Sequence, residues 1–167
     1  MMDYRPIFLV IGILLCALSI GMVIPAIVDA FVGNTDWQIF AISSGVTLFV
    51  GGAMTLTSRS GGLRLSVRQA FIMTTLSWIS LTLFACIPFV FSELQLSFTD
   101  AFFEAMSGVT TTGSTVITNL DSTPKGILIW RALLQWLGGI GIIVMAIAIF
   151  PMLRVGGMQL FRTESSD

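Results

Sequence analysis

The chain has no histidine, and only 10% of its 167 residues are charged. Without imidazole, the commonest general base and metal ligand is missing, which removes most hydrolase and metalloenzyme chemistries. Cysteine is nearly as scarce. Cys16 and Cys86 both fall within long apolar runs, where a thiol behaves as a small buried hydrophobe rather than a disulfide partner or metal ligand. Eight Lys and Arg against nine Asp and Glu leave a net charge of −1, with no basic cluster along a face, so nucleic acid is excluded as a partner. Gly138, Gly139 and Gly141 do not form a dinucleotide fingerprint, because its third glycine would fall at Val144. No cofactor is implied.

What is present is apolar length. Hydrophobic residues make up 55% of the chain, and the charged share is far below the roughly 25% of an average soluble domain. Uncharged runs at 6–28, 37–58, 69–92 and 132–153 each reach the roughly 20 residues needed to cross a bilayer. The first exceeds the roughly 7 to 15 apolar residues of a signal peptide and lacks a positive leader, so it reads as a retained span. Lipid is the partner implied. Arg5, Arg59, Arg64, Arg68, Arg154 and Arg162 fall on one side after an even number of crossings, which predicts both termini cytoplasmic. The other side then carries Asp29, Asp36, Glu93, Asp100, Glu104 and Asp121, a balance that attracts cations.

Between the third and fourth runs lies a segment of about 40 residues, 92–131, whose first half is too apolar for a solvated loop. Ser97 and Asp100 are spaced as a helix start and Gly108 as its end, with Phe98, Phe102, Ala105 and Met106 on one face. A helix of about 11 residues rises roughly 16 Å, half the hydrocarbon thickness. It is expected to dip in and return. Non-helical backbone at that depth must be buried in protein or line an aqueous path. The following run, Thr110, Thr111, Thr112, Gly113, Ser114, Thr115 and Val116, suits a strand that presents carbonyl oxygens to a dehydrated cation. Gly113 supplies a backbone angle that a β-branched residue avoids, and unpaired carbonyls at the helix end favour a cation. The alternative reading of the same residues is an ordinary external loop.

The run 103–116, FEAMSGVTTTGSTV, closely resembles the first pore loop of TrkH-type bacterial potassium transporters of the Trk/Ktr/HKT family, and 135–144, QWLGGIGIIV, with 151–160, PMLRVGGMQL, resembles the helix and exit segment after it. The resemblance implies an all-α membrane protein: four transmembrane helices plus one re-entrant pore helix and filter loop, a helix, pore loop, helix unit preceded by two extra helices. The implied division is 1–68 for the leading helices, 69–153 for the unit and 154–167 for a cytoplasmic tail. It implies potassium transport through the bacterial inner membrane, with potassium as cargo and no enzymatic activity. Thr111, Thr112, Gly113 and Ser114 would be the filter residues, supported by Thr110, Glu104, Asp100 and Arg131. Sodium-favouring plant members carry serine at the filter glycine, so glycine at 113 implies potassium preference. One loop is a quarter of a filter, so further pore units are needed, from the remainder of a longer chain or from a homotetramer. A cytoplasmic nucleotide-binding ring is a further implied partner. The rival expectation is a non-conducting accessory subunit or a truncated fragment.

Three other features carry expectations. Arg131, about one turn inside the external boundary of the last span, either pairs with Asp100 or Glu104 and braces the short helix, or extends outward. Gly138, Gly139 and Gly141 each cost about 1 kcal/mol against alanine in a helix, so close packing on the short helix is expected of them. Trp37 and Trp130 fit an interfacial belt, whereas Trp78 and Trp136 lie deeper and are expected in helix contacts.

Overall fold

A computed structural model describes residues 4–59 and 66–153, and all regular elements among them are helical. Arg64, the 154–167 tail and its Arg154 and Arg162 lie outside the described residues. The helices are α1 (Arg5–Val32), α2 (Trp37–Thr57), α3 (Val67–Ala85), α4 (Ile87–Phe91), α5 (Phe98–Val109) and α6 (Lys125–Leu153), with a 3₁₀ turn at Leu120–Ser122. Four stretches are long and apolar enough to cross a membrane: Arg5–Val32, Trp37–Thr57, Val67–Phe91 and Lys125–Ile147. The expected all-α architecture with four membrane-length spans is therefore present.

Local chemistry sets the ends. Pro6 sits in the first turn of α1, where a missing N–H costs nothing, and Gly33 closes the helix at φ +81° with its N–H on the Ala30 carbonyl. Ser66 opens α3 through a capping box: its hydroxyl accepts the Gln69 N–H, and the Gln69 side chain accepts the Ser66 N–H. The third span is interrupted at Cys86, because Pro88 has no N–H to offer the preceding turn and its ring crowds it. The Ala85 carbonyl at that break accepts the Trp130 indole N–H at 3.0 Å. The fourth span begins at Lys125 rather than near 132, because a cation in the first turns of a long helix does not end it.

α1 packs along α2 and also touches α3 and α6, while α5 lies against α3 and α6. The α1–α2 seam is a backbone contact. A Cβ on Gly12 would stand 2.6 Å from the Thr55 hydroxyl and 2.8 Å from the Gly51 carbonyl. Farther along, the Ser44 hydroxyl donates to the Ser19 carbonyl at 2.8 Å, and Ser19, Ser43 and Thr47 are fully buried. Small residues and interhelical hydrogen bonds are the usual glue where lipid removes the hydrophobic drive between helices. The outward surface is apolar to match, with Phe31 88%, Phe49 77% and Ile147 70% exposed.

Two tryptophans depart from expectation. Trp130 is fully buried, edge-on to Phe40 at 6.2 Å, because its indole N–H has the Ala85 carbonyl as partner. Trp136 is 64% exposed. Depth along a span does not tell which side of the helix faces its neighbours.

Gly12→Val is expected to lower stability by about 1–3 kcal/mol through overpacking of the α1–α2 seam. Gly45→Ala, whose Cβ would meet nothing within 4 Å, should be neutral or stabilising by up to about 1 kcal/mol. Thermal melts in detergent check the pair; equal effects would refute the seam.

Candidate functional site

α5 starts where the Ser97 hydroxyl accepts the Asp100 N–H at 3.2 Å and donates back to the Asp100 carboxylate at 2.7 Å. Twelve residues give it a length of about 18 Å. It runs through Gly108 to Val109, and Gly108 serves contact rather than termination: a Cβ there would stand 3.0 Å from the Leu134 side chain on α6. Its buried side is Ala101, Glu104, Ala105 and Gly108, not the expected apolar stripe, for Phe98 is 61% exposed against Phe102. In an apolar surrounding, bulky hydrophobes are free to face outward, and small or hydrogen-bonded residues take the close contacts.

The chain turns sharply after α5. Thr111 (φ +60°) and Gly113 (φ +78°) are both left-handed, with Thr112 between them. Gly113 occupies such a region freely. Thr111, being β-branched, is strained there, a cost on the order of 1–3 kcal/mol. The N–H of Thr111 donates to the Gly108 carbonyl at 2.9 Å, and those of Thr112 and Gly113 to the Ser107 carbonyl at 3.0 and 3.3 Å. Every described peptide bond is trans, so each carbonyl opposes the N–H of the next residue. The carbonyls of Thr110, Thr111 and Thr112 therefore point away from the end of α5. Ser114 differs: its carbonyl turns back and accepts the Ser107 hydroxyl at 2.6 Å, leaving one lone pair. The Met106, Ser107 and Gly108 carbonyls in the last turn of α5 are not unpaired as expected, because these N–H groups and Thr110 take them; those of Thr110 to Gly113 accept no hydrogen bond among the described residues.

Glu104 holds the strand to the bundle. It is fully buried, receives the Thr115 hydroxyl and the Val116 N–H, both at 3.0 Å, on one oxygen, and forms an ion pair with Arg131 Nε on the other. Of the two partners open to Arg131, the structure selects Glu104, while Asp100 stays with Ser97. Residues 111–116 are exposed. Thr110 is partly buried, with its hydroxyl against that of Thr112 at 2.9 Å. α6 meets the end of α5 at Gly138, where any Cβ would overlap the Val109 carbonyl; a Cβ on Gly139 would only reach the Thr111 methyl, and one on Gly141 meets nothing. One glycine of the three is thus required by packing.

The expected acidic face is largely absent as free charge. Asp29 and Asp36 are fully buried along with Glu104, leaving Glu93 and Asp121 exposed and Asp100 half-exposed. One Asp29 oxygen accepts the Gly126 N–H at 2.8 Å at the start of α6, and the other has no partner among the described residues. Such a carboxylate complements the positive end of the α6 dipole. Asp36, in the α1–α2 connection, accepts the Glu93 N–H at 3.2 and 3.4 Å. Burial pushes its carboxyl above its ordinary value; the Glu93 N–H opposes that shift, and the Glu93 and Asp29 charges add to it. No group of three or more Asp, Glu or Cys among the described residues has metal-binding geometry. Sequence reasoning missed Ser107, whose hydroxyl and carbonyl both serve the strand; only its place seven residues before Ser114 hinted at it.

The signature of the TrkH family, described as cation transport proteins, matches residues 37–167. The Trk system potassium uptake protein TrkI of Halomonas elongata is 43% identical over 98% of this chain, and TrkH of Escherichia coli K12 is 42% identical over the same share. The crystal structure of the potassium transporter TrkH from Vibrio parahaemolyticus superimposes with a TM-score of 0.87 at 40% identity, covering 94% of this chain. In each case the chain spans about a third of the relative's length, 33% and 34% of the two sequences and 34% of the structure.

Arg131→Leu is expected to cost about 3–5 kcal/mol in stability, since it strands the buried Glu104 carboxylate, and Glu104→Gln added to it should restore part of that loss. Chemical denaturation of both variants checks this; an unchanged midpoint for Arg131→Leu would refute the brace. A second expectation concerns pH. The raised Asp36 carboxyl favours protonation when folded, so its charge costs stability at neutral pH. That cost is relieved as pH falls through the raised value and vanishes below its ordinary 3.8. As pH falls from neutrality toward about 4, the melting temperature of Asp36→Asn should gain less, or lose more, than that of the unmodified protein.

Proposed function

Because this chain belongs to the TrkH family of cation transport proteins, we infer that it contributes one filter segment to a potassium-conducting pathway. The observation that carries this reading is the anchoring of the Thr111, Thr112 and Gly113 N–H groups on the last turn of α5. It leaves the carbonyls of Thr110, Thr111 and Thr112 directed together toward the exposed side, where a dehydrated cation finds oxygens already oriented. Replacing a hydration shell requires several such oxygens held without reorganisation. Gly113 and the second lone pair of the Ser114 carbonyl complete the segment. Glu104, Arg131 and Thr110 support it, and Asp100 contributes through the start of α5. No covalent step is involved, and no cofactor beyond the transported ion is needed.

In this reading 1–68 forms the two leading helices, 69–153 the helix, pore loop, helix unit with α5 as a re-entrant helix, and 154–167 a cytoplasmic tail. Both termini face the cytoplasm of a bacterial inner membrane, in keeping with the Arg distribution. One segment lines only part of a pore. The relatives' threefold greater length supports completion by further pore units. The tail would face a cytoplasmic nucleotide-binding partner.

In a transport-competent protein carrying this chain, Gly113→Ser is expected to lower potassium-over-sodium selectivity by about tenfold, equivalent to about 1.4 kcal/mol. Paired potassium and sodium flux measurements in proteoliposomes provide the test. Unaltered selectivity would overturn the filter assignment.

A further inference from the structure

Gly113 is lined on its α6 side by a side chain that the filter reading does not use. A Cβ at 113 would stand 3.7 Å from Nε2 of Gln135, the one atom beyond its chain neighbours within 4 Å among the described residues, so a substituent there lies beside α6. α6 is brought this close one turn later, by the contact of Gly138 with the Val109 carbonyl. A Cβ on Gly139 would stand 3.9 Å from the Thr111 methyl, so this stretch of α6 runs beside the left-handed turn from 111 to 113. Gln135 is half-buried, and no described group hydrogen-bonds its amide. Two N–H donors on α6 therefore stand beside the left-handed bend at Gly113.

The geometry points to Gln135 as a positioning residue for the Gly113 turn, one that senses what occupies position 113 and sets the aim of the neighbouring carbonyls. With glycine at 113, the amide closes the space behind the turn and keeps water from the strand's inner side. A serine there places its hydroxyl within hydrogen-bond reach of the Gln135 amide. It also has to hold φ near +78°, which a non-glycine residue resists. The two effects pull the peptide planes at 112–114 toward α6. A change at 113 thus acts on the ion through α6, without its side chain touching the pathway. This inference rests on the filter reading and adds a residue to it.

The test is a double-mutant cycle in the transport-competent protein, read as the potassium-to-sodium flux ratio, which does not depend on how much protein folds. Gln135→Leu alone is expected to lower the ratio about three- to tenfold, and Gly113→Ser in that background should change it far less than in the unmodified protein, as coupled neighbours do. Gln135→Glu keeps the length but lacks the N–H donors; it should shift the ratio in the same direction and serves if the leucine variant fails to fold. Gln135→Asn, with the donors one bond shorter, should recover part of the ratio. If Gly113→Ser shifts the ratio while Gln135→Leu and Gln135→Glu leave it unchanged, or if the effects simply multiply, the positioning role is overturned and the filter reading stands. If Gly113→Ser itself leaves the ratio unchanged, both readings fall.

Discussion

The carboxylate of Glu104 is the point on which the strand's geometry depends. It is fully buried, and it joins α5, α6 and the strand by taking the Arg131 guanidinium on one oxygen and two strand groups on the other. A charge out of water is tolerated only when paired and hydrogen-bonded, so these partners are conditions of one another. The pair is neutral as a whole. Its contribution at the strand is therefore placement: it fixes 115–116 at one end, while Ser107 fixes 112–114 at the other.

Around this hub the usual distribution of residue types is inverted in part. Large hydrophobes such as Phe31, Phe49 and Trp136 face outward, while Ser19, Ser43, Thr47, Thr82, Asp29 and Asp36 are buried. In water this would be a poor bargain, but beside hydrocarbon an outward Phe loses nothing and an inward hydroxyl finds carbonyls. Thr47 and Thr82 donate to the carbonyls four residues back in their own helices, and Ser44 crosses to Ser19. Close approach at Gly12 and Gly51 makes the crossing short enough.

This inversion explains what the sequence disclosed and what it hid. The number of spans and the Ser97 start of α5 were legible, because apolar runs and capping chemistry are local. The buried side of α5 was not, since an apolar-stripe argument assumes water outside. Trp130 and Trp136 exchanged their expected roles for a related reason: position along a span says nothing of rotation about it. The acidic residues read as a free-charge face because composition records charge and not burial. Thr111 was hidden differently. Nothing local favours φ +60° for a threonine; the angle is imposed by N–H groups that must reach back to Ser107 and Gly108. The break at Cys86 had a visible cause in Pro88, which a criterion of uninterrupted hydrophobicity passes over.

Arg131 follows Glu104 by 27 positions, and Leu134, Gln135 and Gly138 come later still. A ribosome delivers α5 and the strand before any of their α6 supports exists. In that interval Glu104 has no counter-charge, and nothing on α6 backs the bend from 111 to 113. The segment acquires its final shape only when α6 arrives, so its exposed backbone is completed in reverse of the order in which it is synthesised.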